Sequence, residues 1–201
     1  MLNAINSFRS NIAQTEQLIA LFDYLHSQLK APMDFDDLLR SKIVYAVSAF
    51  DKLMHDLIRI GMVEIFNGAR AATPKYSMEP IQMHVVQQLS SVTPPPSFVF
   101  ESAIRAKLKI LSFQDPDKIA DGLSYIWAES QKWQKIAAAI GAEEKALRTT
   151  LKLVASRRNA IVHEADLDPI TGVKLPVSRD EAVDIVQLLK NLGEGIYNLV
   201  K

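Results

Sequence analysis

Residues 34–66 constrain this chain more than any other segment. Leu38, Leu39, Ile43, Val47, Phe50, Leu53, Met54, Leu57, Ile58 and Phe66 recur at intervals of three and four, the spacing of a helix. They cover much of the circumference rather than one stripe. A helix apolar on so many sides is stable in water only with neighbours around it, so this segment predicts the central helix of a bundle. Asp34 is placed to cap its start, and Asn67 followed by Gly68 predicts its stop.

The rest of the chain supplies those neighbours. Residues 3–30 carry Ile5, Phe8, Ile12, Leu18, Leu21, Phe22, Leu25 and Leu29 at helical spacing, with Pro32 expected to end the run. Helices are also predicted near residues 98–111, over 142–163, and from Ser178, which forms a capping box with Glu181, toward the C-terminus. Asp115 followed by Pro116 reads as an N-cap and a first-turn proline. Trp127 and Trp133 then fall in a connector of two short helical pieces, where packing is their expected role. No strand-length alternation and no internal repeat is present. The predicted fold class is therefore all-α, an antiparallel helical bundle forming one domain over residues 1–201. Residues 69–133 depart from it: Thr73-Pro74, Glu79-Pro80 and Pro94-Pro95-Pro96 predict an irregular, partly helical insertion around one short helix.

Composition removes several functions. With 48% hydrophobic and 23% charged residues the chain can build a core without staples. It has no cysteine, which excludes disulfides, thiolate metal sites and a cysteine nucleophile, and suits a reducing cytoplasm. Acidic and basic residues balance at 23 each, so a polyanion has to be held by a local patch rather than by the field of the whole molecule. No apolar run approaches the roughly 18 to 20 residues that span a bilayer, and the first residues lack a secretory pattern. A cytoplasmic location is expected.

The helix over 142–163 breaks its own pattern. Leu147, Leu151, Val154, Ile161 and Val162 set an apolar stripe, and Arg158 falls within it. An unpaired charge on a buried face costs several kcal/mol, about 3 to 5. Arg158 must therefore pair with a carboxylate, reach outward, or look into a cleft or a partner subunit. Lys145, Thr149, Lys152, Ser156, Asn159 and His163 form a polar flank. Asn159 and His163, four apart, project together, whereas Arg158 and His163, five apart, lie about 140° from each other on an ideal helix. Either the helix ends or distorts near His163, or the two faces border one dimer cleft. A plainer role is also open: Arg157, Arg158 and His163 as cations at a helix C-terminus.

Arg158-Asn159-Ala160-Ile161-Val162-His163 matches the Arg-x4-6-His signature of the HEPN superfamily. The context from Ser156 to Asp166, together with Ser48-Ala49-Phe50-Asp51 and His55-Asp56 on the central helix, resembles its RiboL-PSP branch. The resemblance covers most of the chain from Leu38 onward. It implies a metal-independent endoribonuclease without a cofactor, in which two motifs meet across a homodimer. Cutting RNA by attack of its own 2'-hydroxyl needs a base, a cation for the phosphoryl oxygens and an acid for the departing 5'-oxygen. Histidine titrates near neutrality, which suits His163 to acid or base work. Arg158 offers a permanent bidentate cation, and Asn159 can orient His163 or the phosphate.

Lys145, Arg148, Lys152 and Arg157 are the expected RNA-binding residues, and Asp51 a supporting partner of Arg158. His55 and Asp56, being adjacent, are expected to point apart, and His26 and His84 carry no partner signal. Glu164, Asp166 and Asp168 resemble a metal cluster, but in a Pro- and Gly-containing loop they read as turn chemistry, and no metal site is expected. The leading expectation is an RNase acting as a toxin or phage-defence effector. The alternative is a non-catalytic module binding a nucleotide or a partner protein, such as a nucleotidyltransferase antitoxin.

Overall fold

The computed structural model describes residues 1–29 and 33–201; the stop expected at Pro32 lies outside the described residues. Helix α1 (Leu2–Asp23) continues into a π-helical turn, Tyr24–Gln28. The central helix is α2 (Asp36–Phe66), which buries Ile43, Ala46, Phe50, Leu53, Met54, Leu57 and Ile58. Short helices α3 (Pro74–Ser77) and α4 (Met83–Leu89) precede α5 (Pro96–Leu108), and α6 (Pro116–Leu123) and α7 (Lys132–Ala139) follow it. Then come α8 (Glu144–His163) and α9 (Arg179–Val200). Among the described residues there is no strand, only an isolated antiparallel bridge between Leu167 and Lys174. The fold is all-α, as the periodicity predicts.

Helices α1, α5, α8 and α9 all pack against α2, which explains why it is apolar around so much of its circumference. Ion pairs fix the bundle at both ends. Arg9 grips Glu194 at one end of the α1 and α9 pair, and Arg179 grips Asp23 at the other, so the two helices run antiparallel.

Local chemistry sets the boundaries. Asp34 accepts the Asp36 N–H at 2.7 Å, and Gly68 takes a positive φ of 74° just past the end of α2. The Asp115 carboxylate accepts the Asp117 N–H, Glu143 accepts those of Lys145 and Ala146, and Ser178 and Glu181 close their capping box. Residues 69–95 hold two short helices, α3 and α4, where one is expected. Three of its prolines start helices rather than break them: Pro74, Pro96 and Pro116 each occupy the first turn of α3, α5 or α6, where no N–H is needed. Trp133 is buried and donates its indole N–H to the Pro116 carbonyl at 3.0 Å, and Trp127 packs partly buried against the core. No described helix is long and apolar enough to cross a membrane.

Candidate functional site

The apolar stripe of α8 buries Leu147, Leu151 and Val154 against the core. One turn later it stops being apolar. Arg158 is half-buried, with its Nε–H shielded from solvent and without a hydrogen-bond partner, and it has no ion pair among the described residues. Its only polar side-chain contact among the described residues is a hydrogen bond from Nη1 to the Asn159 side-chain oxygen, 3.1 Å. Of the outcomes open to this arginine, the fold chooses the cleft: Arg158 lines a hollow of about 380 Å³ between α2 and the stretch from α5 to α6. Asn159 and His163 are exposed and lie outside that lining. The helix neither ends nor distorts before His163, its last residue, so Arg158 and His163 keep their ideal separation of about 140°. Val162, expected within the buried stripe, is 44% exposed, whereas Ile161 packs partly buried against the core.

The α2 wall of the cleft carries Asp51, Lys52, His55 and Asp56. Asp51 makes no ion pair with Arg158, contrary to expectation. Its carboxylate accepts the Phe113 N–H at 2.5 Å and lies 3.5 Å from His55 Nε2. The first contact ties the chain after α5 to α2 and so sets the width of the cleft. His55 is held edge-on to the Phe113 ring, with centroids 4.8 Å apart. His55 and Asp56 both line the cleft although they are adjacent, so the cleft takes in more than one line of residues along α2. The insertion supplies the opposite wall through Arg105, Lys109 and Gln114. Burial works against the charge of Asp56, but hydrogen bonds from Lys52 and Arg59 outweigh it and hold its carboxyl below the usual range. Arg59 continues to Glu101, which also takes Arg105.

Arg157, an expected RNA-binding residue, is occupied elsewhere. It donates to the Pro176 carbonyl at 2.8 Å, and its guanidinium lies 3.1 Å from Asp166, a carboxylate with no solvent exposure. Arg40 from the start of α2 grips the other Asp166 oxygen at 2.7 Å and the Leu175 carbonyl at 2.6 Å. Burial depresses Arg40, yet the Asp166 carboxylate more than offsets this and raises it above its ordinary value. Asp166 therefore pins the loop of residues 164–177 between two helices. Asp168 does what its turn setting predicts, accepting the backbone N–H groups of Ile170 and Thr171, which lowers its pKa. Among the described residues no group of three or more His, Asp or Glu side chains is arranged to hold a metal ion.

The other three expected RNA ligands lie away from the Arg158 cleft, along the N-terminal half of α8. Lys145, Arg148 and Lys152 border a shallow hollow of about 210 Å³. Asp117 at the start of α6 lies 2.8 Å from Arg148 and 3.6 Å from Lys152, so part of their charge is already answered. Sequence reasoning missed Lys109 and Gln114, because no spacing rule links an insertion to a distant helix. It also missed the pairing of Asp51 with His55, for which a signal existed: residues four apart share a helix face.

A family model described as RiboL-PSP-HEPN matches residues 10–201. The chain belongs to this family. No curated protein and no solved structure matches it. In this HEPN chain the family motif is thus an arginine facing a cleft, an asparagine beside it and an exposed histidine at the helix end.

Proposed function

We propose that this HEPN chain is a metal-independent endoribonuclease that cleaves RNA by 2'-hydroxyl attack, acting as a homodimer in a toxin or phage-defence role. The observation that carries this reading is Arg158: a half-buried guanidinium with a shielded, unsatisfied Nε–H, without a carboxylate, facing an open cleft. Such a charge is costly unless an anion arrives to meet it. A phosphodiester is the anion a planar guanidinium fits best. Arg158 holds the charge that grows on the phosphoryl oxygens, Asn159 orients that guanidinium through their hydrogen bond, and His163 transfers protons.

Because Arg158 and His163 diverge on one regular helix, the arginine of one subunit and the histidine of its partner complete each other at a two-fold interface. Exposed apolar side chains beside the cleft suit this arrangement. Tyr45 on α2 is 59% exposed, about one turn before Ser48, and Val162 stands about one turn beyond Arg158.

The test is cleavage of mixed RNA in EDTA. The wild type should leave 2',3'-cyclic phosphate and 5'-hydroxyl ends, and His163→Ala should lose about 10²- to 10⁴-fold in rate, the usual share of a general acid or base. Cleavage that persists in clean His163→Ala protein would sink the assignment.

A second reading has its own observation. The insertion exposes Met78, Met83 and Ile110 around a largely apolar hollow of about 590 Å³, a surface suited to a partner protein such as an antitoxin. A folded wild-type dimer that cuts no RNA would favour that binding-module reading.

A further inference from the structure

The cleft that receives Arg158 contains a histidine of its own, and it is His55 rather than His163. Its charges do not cancel. Lys52 and Arg59 meet Asp56, and Arg59 and Arg105 meet Glu101. Lys109 and Arg158 meet no carboxylate among the described residues, although both line the same hollow. The remaining carboxylate, Asp51, is taken up by the Phe113 N–H and by His55. The result is an imidazole packed against Phe113 that shares its hollow of about 380 Å³ with two uncommitted cations, beside the family motif.

We infer that this cleft is a subsite for the RNA backbone phosphodiester next to the one being cut, with His55 and Lys109 as its ligands and Arg158 standing between the two phosphates. This rests on the RNA-cleaving reading above and extends it to a residue outside the motif. Asp51 and the edge of Phe113 set the orientation of the His55 ring. Its Nε2 faces Asp51 at 3.5 Å, which leaves Nδ1 for a non-bridging phosphate oxygen. His55 is a positioning residue for the substrate and takes no proton from the reacting atoms.

The experiment separates binding from cleavage. A fluorescent oligoribonucleotide with every 2'-hydroxyl methylated cannot be cut, and its anisotropy reports affinity alone. His55→Gln and Lys109→Ala should each weaken binding about tenfold, the scale of one lost charge-assisted hydrogen bond, while Lys135→Ala, an exposed cation on α7, should not. Lys109 is exposed, so its variant tests the subsite without disturbing packing. In histidine ring spectra the His55 resonance should move on titration, whereas those of His26 and His84 should stay. Unchanged affinity in both variants overturns the subsite. Inorganic phosphate or a mononucleotide competing as well as the oligonucleotide also overturns it, in favour of a free-anion pocket. Wild type that binds in this pattern but cuts no unmodified RNA would remove the nuclease reading and leave the cleft as a binding site for the RNA backbone.

Discussion

Two adjacent arginines in one helix turn have opposite fates. Arg157 is spent on structure and Arg158 is left free, and the difference lies in what each side of α8 faces. Arg157 meets Asp166, which also holds Arg40, and these side chains are almost wholly buried. Removing the shared anion leaves Arg40 and Arg157 with only the more exposed carboxylates of Asp37, 3.1 Å away, and Glu181, 3.9 Å away. Asp166→Ala is therefore expected to lower unfolding free energy by about 3 to 5 kcal/mol, the scale for breaking a buried pair, as read from the midpoint of urea denaturation. A loss under about 1 kcal/mol, typical of exposed pairs, would show that water already screens the cluster. Arg158→Ala should cost far less stability, because no carboxylate loses its partner.

At the scale of helices, close approach matters more than intrinsic preference. Gly193 on α9 lies where an added Cβ would come within 2.5 Å of the Phe8 ring on α1. Alanine would gain up to about 1 kcal/mol of helix propensity, but overpacking costs about 1 to 3 kcal/mol. Gly193→Ala is thus expected to be destabilising, with part of the loss recovered when Phe8→Leu makes room; a melting temperature at or above wild type would refute the tight contact. Such contacts were not legible in the sequence, whereas the elements were. The apolar circumference of α2 announced its central place, and the caps at Asp115 and Ser178 marked two helix starts because capping is local chemistry. The motif on α8 was legible for the same reason, since five residues on one helix have a calculable geometry. Asp166 was not: its burial depends on Arg40, 126 positions away. Lys109 and Gln114 reach the cleft through the packing of α5 on α2 and the hold of Asp51 on the Phe113 backbone, both contacts between distant parts of the chain.

For the molecule as a whole, the balance of 23 acidic and 23 basic residues means that any hold on RNA has to come from a local patch and not from a long-range field. The proposed two-fold assembly should show a mass twice 22.5 kDa in sedimentation equilibrium. A species at the single-chain mass that retains full cleavage would refute the shared site. Because α8 stays regular to its last residue, an isolated subunit cannot bring its arginine and histidine to one phosphate. Below the dissociation constant of the proposed dimer, active sites would then accumulate with the square of copy number. Halving the number of molecules would quarter the proposed RNA cleavage, so a small pool would be almost silent and a modest burst of synthesis would act as a switch.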